Sequence, residues 1–241
     1  MRIQKSYGIA CYRKRWNKLN YEFLFINKRL SYAFISFIKG MYEKNINSPN
    51  ISKLLNQMTV DEKIILKSLD FNIIWYKYYI EKSDTNQKTI NMYNRFKKKF
   101  DNNFMKDGGK HLLYLIEKST SVNLIWEIPK GHKNNKEFEI NAAIREFYEE
   151  TSISKYKYKI LFDIKPIVYS FIDENVQYIY TYYIAKLIDN YYRPHVKLNL
   201  KSVIGETADI KLLSIDEMRL LVNDKILISE IKKLIKILKN Y

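Results

Sequence analysis

The sequence predicts an α/β protein, a mixed-sheet domain interrupted by an all-helical insertion. Three observations carry this reading. Aromatic and β-branched runs open the chain, apolar residues then recur at helical spacing from about Ser36 to Ser121, and strand-like runs return before an amphipathic C-terminal stretch. The expected division is 1–35 with 122–241 as one domain and 36–121 as the helical one.

Each element has its own warrant. "YGIACYR" and "YEFLFINKR" are apolar runs on either side of a polar "KRWNKLN", which reads as a hairpin. "NISKLLNQMTVDEKIILKSLDFNIIWYKYYIEK" has helical spacing, and Thr59 with Glu62 forms a capping box. "INMYNRFKKKFDNNF" reads as a second, basic and aromatic helix. "VNLIWEIPKG", "KYKILFDIKPIVYSFI" and "VQYIYTYYIAKLI" read as strands. Near the C-terminus Leu227, Ile231, Leu234, Ile235 and Leu238 repeat at helical spacing, so a final amphipathic helix is expected.

Composition narrows the class. With 46% hydrophobic residues the chain can bury a core, which excludes wholesale disorder. The few Gly and Pro exclude collagen-like and linker-like chains. Cys11 lies in an apolar run and reads as a small buried hydrophobe, and a chain with one cysteine forms no internal disulfide, as suits a reducing compartment. The opening "MRIQKSYGIACYRKR" lacks the long apolar core of a signal peptide, and no apolar run reaches membrane-spanning length.

The net charge of +16 favours polyanionic partners such as nucleic acid, anionic membrane or polyphosphate. It is unevenly placed. Residues 1–121 hold 23 Lys+Arg and 10 Asp+Glu, or +13; residues 122–241 hold 19 and 16, or +3.

Against that background, "GHKNNKEFEINAAIREFYEETSI" (Gly131–Ile153) gathers five glutamates. Ile140, Ala143, Ile144 and Phe147 form one apolar helix face. Glu146, Glu149 and Glu150 share another face, where like charges repel. Arg145 lies four residues before Glu149 and is placed to orient it, and Glu137 precedes the helix in a loop led by Gly131. Converging carboxylates suit a hard cation, Mg²⁺ or Mn²⁺, which would cancel the repulsion.

Gly131, Glu137 and the run Arg145–Ile153, at these spacings, resemble the Nudix box of the Nudix hydrolases. The box has Gly where this chain has Ser152; a left-handed helix end is expected there, at some strain for Ser. The resemblance implies an α/β/α sandwich around a mixed sheet and hydrolysis of a nucleoside diphosphate linked to another group. It implies Glu149 and Glu150 as main metal ligands, Glu146 as a ligand or catalytic carboxylate, Glu137 as a further metal contact and Arg145 as their orienting partner. "GETADIKLLSIDEM" resembles the later Nudix stretch that carries a glutamate before a strand, which makes Glu206 a catalytic candidate. Asp173 and Glu174, between two strands, compete for that role or for a second metal.

"LIWEIPKGH", "MTVDEKIILKSLDFNIIWYKYYIE" and "INKRLSYAFISFIKGMY" resemble the decapping Nudix enzymes of large cytoplasmic DNA viruses, the asfarvirus type most closely and the poxvirus type more distantly. That resemblance implies capped mRNA as substrate, 7-methyl-GDP and 5′-monophosphate RNA as products, and action in the host cytoplasm. It implies that the helical insertion holds the RNA body. Lys39, Lys97, Lys98 and Lys99 are candidate RNA contacts within a basic, aromatic segment. Two alternatives stand beside it: a diphosphoinositol polyphosphate phosphohydrolase, which also needs a basic pocket, and a catalytically inactive Nudix module that binds RNA.

Overall fold

A computed structural model describes residues 1–15, 20–42, 49–78, 87–173, 175–189, 194 and 207–241. The chain divides into two units. One holds Met1–Lys28 and most of the chain from Ile125 onward; the other holds Arg29–Leu124.

The first unit is built on an eight-stranded mixed sheet. Strands β1 (Arg2–Lys14) and β2 (Tyr21–Lys28) pair antiparallel with Tyr12 opposite Phe23, which is the expected hairpin. The short strands β3 (Trp126–Glu127) and β4 (Lys130–Gly131) follow the helical unit. After helix α7 (Glu139–Thr151) come β5 (Tyr158–Ile160), β6 (Ile167–Asp173), β7 (Val176–Leu187) and β8 (Thr207–Leu213). The main path is β3-β2-β1-β7-β5; β4 pairs with β1, β6 with β7, and β8 with β2. Strand β1 runs parallel to β7 from Arg2 opposite Val176 to Tyr12 opposite Lys186.

Side chains alternate across the sheet with period two. Ala10, Tyr12, Phe23, Phe25, Tyr182 and Ile184 enter one core, closed by α8 (Ile215–Leu221) and α9 (Lys225–Leu238) through Met218, Leu227, Ile231, Leu234 and Leu238. Tyr7, Ile9, Cys11, Leu24, Ile26 and Ala185 enter the other, closed by α7 (Glu139–Thr151) through Ala142, Ala143 and Phe147. Helices on both faces make the α/β/α sandwich. The closing amphipathic stretch is two helices, because Asp224 accepts a hydrogen bond from the Leu227 amide and starts α9 anew. "VNLIWEIPKG" holds two two-residue strands in place of one long one; Pro129 lacks the N–H that a ladder needs.

The second unit contains α1 (Tyr32–Ile38), α2 (Pro49–Asn56), α3 (Val60–Lys67), α4 (Phe71–Tyr78), α5 (Gln87–Phe104) and α6 (Lys110–Lys118). Its core is aromatic, with Phe34, Phe37, Phe71, Phe100 and Phe104 buried together. The capping box at α3 is formed: Thr59 Oγ1 accepts from the Glu62 amide at 3.2 Å and Glu62 accepts from the Thr59 amide at 2.9 Å. The buried Glu62 carboxylate also accepts from the Ser31 hydroxyl at 2.8 Å, so one side chain ties the starts of two helices.

Candidate active site

Helix α7 carries the glutamates. Its apolar face seats Ala142, Ala143 and Phe147 on the sheet, which turns Glu146 and Glu149 away from the core and leaves Glu150 at the buried margin. At the start of α7, the Tyr7 hydroxyl donates to Glu139 at 2.8 Å, pinning the helix to β1. At its end Ser152 has φ 56° and ψ 18°, and its amide donates to the Tyr148 carbonyl at 2.7 Å. This is the expected left-handed cap, occupied by a residue with a Cβ.

Arg145 gathers three of the acids. Its Nε and Nη2 each lie 3.0 Å from a Glu137 oxygen, a two-point contact. Nη1 donates to Glu146 at 2.7 Å and to Glu149 at 3.1 Å, and Nη2 also donates to the His132 carbonyl at 2.8 Å. Hydrogen bonds from Arg145, then from the Asn134 amide, hold the Glu137 carboxyl below its ordinary range. Arg145 thus contacts Glu137, Glu146 and Glu149, the glutamates it is expected to orient.

Glu150 has a separate environment. It is 4% exposed. Lys28 Nζ donates to Oε1, and the Lys130 amide donates to Oε2 at 2.9 Å. Burial pushes the Glu150 carboxyl up to about 7, with Lys28 opposing that rise. Lys28 also lies 3.4 Å from Glu127, which pairs in turn with Lys130 Nζ. The Lys130 ammonium stands 5.0 Å over the Tyr180 ring.

Backbone Lys130–Gly131 is the meeting point. It donates one amide to Glu150, and a Cβ on Gly131 would collide with the Glu146 carboxylate. Gly131 lets the Glu146 carboxylate lie against the backbone, a place from which a Cβ would displace it.

Among the described residues no three acidic, His or Cys side chains converge as a ready metal pocket. Arg145 holds Glu137, Glu146 and Glu149 around its guanidinium, while Lys28 holds Glu150. The residues nevertheless fit a divalent cation. Every donor is a hard carboxylate oxygen, and Glu146 and Glu149 already share one positive nitrogen between them.

Other expected residues lie elsewhere. Asp173 ends β6 opposite Val176, five positions along β7 from Thr181, which is level with Gly131 through Tyr7. At strand rise that is about 17 Å away, so the sheet does not bring Asp173 to the glutamates. Glu206 and Glu174 lie outside the described residues. Lys39, Lys97, Lys98 and Lys99 all belong to the helical unit. Lys98 is exposed, Lys97 pairs with Asp101 at 2.6 Å, and Lys99 donates to the Gly40 carbonyl and stands 5.0 Å over the Tyr42 ring.

Sequence reasoning missed Lys28 and Glu127. The signal for Lys28 was its period-two spacing after Leu24 and Ile26, which aims a lysine at the face covered by α7.

No protein-family model matches the chain. It is 33% identical over 223 residues to the mRNA-decapping protein g5R of African swine fever virus (isolate Warthog/Namibia/Wart80/1980), covering 91% of this chain and 88% of that one. The chain belongs to the viral mRNA-decapping proteins, a group of Nudix hydrolases. A putative mRNA-decapping protein of Acanthamoeba polyphaga mimivirus is 25% identical over 184 residues, or 68% of this chain and 51% of that one. The fold of this family member is similar to that of a C. elegans Ap4A hydrolase in a binary complex, with a TM-score of 0.50 and 16% identity over 98% of both chains.

Proposed function

We propose that this Nudix hydrolase removes the 5′ cap of mRNA, cleaving the cap triphosphate to release 7-methyl-GDP and RNA with a 5′-monophosphate. The observation that carries the reading is the likeness to the viral mRNA-decapping protein over 91% of the chain, a span that cannot be reached without most of the helical unit. Water attacks a phosphorus of the triphosphate, the bridging P–O bond on the RNA side breaks, and the water proton passes to a carboxylate base.

Mg²⁺ or Mn²⁺ would be held chiefly by Glu149 and Glu150, with Glu146 as a further ligand or the catalytic carboxylate and Glu137 assisting, and when bound would screen phosphate charge and acidify water. Arg145 keeps Glu137, Glu146 and Glu149 gathered although they repel one another. Gly131 leaves Glu146 room to approach the phosphate. The helical unit contributes a basic field for the RNA body: residues 29–124 hold 16 Lys+Arg and 9 Asp+Glu, or +7, and RNA phosphates respond to such a field. Lys39, Lys97 and Lys98 are our candidate RNA contacts, and Lys99 contributes from a position already engaged within the unit. Capped messages place the enzyme's work in the cytoplasm, and no helix among the described residues is long and apolar enough to cross a membrane.

Product analysis with Mg²⁺ or Mn²⁺ tests the reading. Cap-labelled RNA, free cap dinucleotide and a diphosphoinositol polyphosphate are assayed side by side. Release of 7-methyl-GDP from long RNA, with little from the dinucleotide, is expected. Phosphate release from the inositol compound alone would overturn the reading.

A further inference from the structure

We propose that Lys28 is a positioning residue of the active site, an ammonium supplied from strand β2 that fixes the Glu150 carboxylate for catalysis. The inference rests on the decapping reading only in taking the box glutamates as the catalytic ones.

Three observations carry it. First, Glu150 is held at both oxygens, by Lys28 Nζ at Oε1 and by the Lys130 amide at Oε2. Two contacts from different strands leave the carboxylate one orientation. Second, the acids fall into two groups: Arg145 serves Glu137, Glu146 and Glu149, while Lys28 and Lys130 serve Glu150 and Glu127. The Glu149 side chain is 53% exposed, whereas that of Glu150 is 4% exposed and held at both oxygens. Third, Lys28 is 7% exposed in a face otherwise lined by Leu24, Ile26 and Ile210. A buried ion pair is seldom a net gain over apolar residues of the same volume, so fold stability alone gives little reason for an ammonium there. A second group that aims a catalytic ligand gives a sufficient one.

The test is a double-mutant cycle of Lys28→Met and Glu150→Gln, with Lys28→Arg as the conservative variant, on whichever pyrophosphate substrate the wild type turns over. Mn²⁺ binding to each protein is measured by EPR in parallel and needs no substrate. Lys28→Met is expected to lower kcat about 10- to 100-fold with KM within about twofold, and to weaken Mn²⁺ binding by a similar factor. Lys28→Arg is expected to recover much of both. In the Glu150→Gln background, Lys28→Met is expected to lower kcat no further, because the lysine acts through that carboxylate. That arm also stands if the single variant fails to fold, since the double variant leaves no unpaired buried charge. A folded Lys28→Met protein with wild-type kcat and Mn²⁺ affinity would overturn the proposal, as would a further loss of kcat in the Glu150→Gln background. Failure of the wild type to release 7-methyl-GDP would count against the decapping reading alone.

Discussion

At the scale of single residues, Arg145 and Ser152 make the sharpest claims. Arg145 reaches five acceptor contacts through three nitrogens, a pattern that a single ammonium cannot copy. Arg145→Lys is expected to lower turnover about 10- to 100-fold without unfolding the protein, read by cap release alongside a thermal melt. Ser152 has a left-handed backbone that costs a residue with a Cβ about 1–2 kcal/mol. Ser152→Gly is therefore expected to raise stability by about 1 kcal/mol, seen as a higher urea midpoint at unchanged m-value. Ser152 was legible from the motif and Arg145 from its spacing to Glu149, whereas the contacts of Arg145 with Glu137 and the His132 carbonyl depend on how the loop before α7 folds back. Lys28 was not legible: its alternation with Leu24 and Ile26 places it on a covered face, but its partner Glu150 lies far along the chain and only the folded sheet brings the two together.

At the scale of elements, the helical unit separates lysines that look alike in sequence. Lys97 and Lys98 lie on the outer side of α5, whereas Lys99 binds the Gly40 carbonyl and the Tyr42 ring. Neutralising Lys97 and Lys98 together is expected to weaken RNA binding and flatten the slope of log affinity against log salt by about 1.4. Lys99→Gln is expected to show itself mainly in denaturation, with a loss of about 1–2 kcal/mol. Equal salt slopes for wild type and the double variant would remove that patch from the RNA surface. The capping box at Thr59 was readable because both of its partners lie within one turn. The strand expected in "VNLIWEIPKG" came out shorter, for Pro129 interrupts the ladder and Lys130–Gly131 turns to pair with β1 beside Tyr7 and Gly8.

At the scale of the molecule, the sheet core holds several tyrosines in neutral form. Burial is the leading reason that the Tyr12 and Tyr158 hydroxyls are each pushed up to about 12, against an ordinary value of 10.0. The folded state thus keeps protons that the unfolded chain releases above about pH 10, so stability is intact below that pH and falls as pH rises toward about 12. Urea titrations across this range are expected to show the fall, with tyrosinate absorbance rising as the protein unfolds. The mixed sheet was legible as a class but not as a topology: parallel pairing of β1 with β7 joins segments near opposite ends of the chain, and parallel strands carry no turn signal to announce the match. That pairing also imposes an order on biosynthesis. Strand β1 leaves the ribosome first, yet its parallel neighbour begins only at Val176, while the aromatic core of Arg29–Leu124 is complete long before. The nascent chain carries the helical residues while the β7-facing edge of β1 is still open, a window in which a protease or a chaperone would meet Ile9–Tyr12 along that edge.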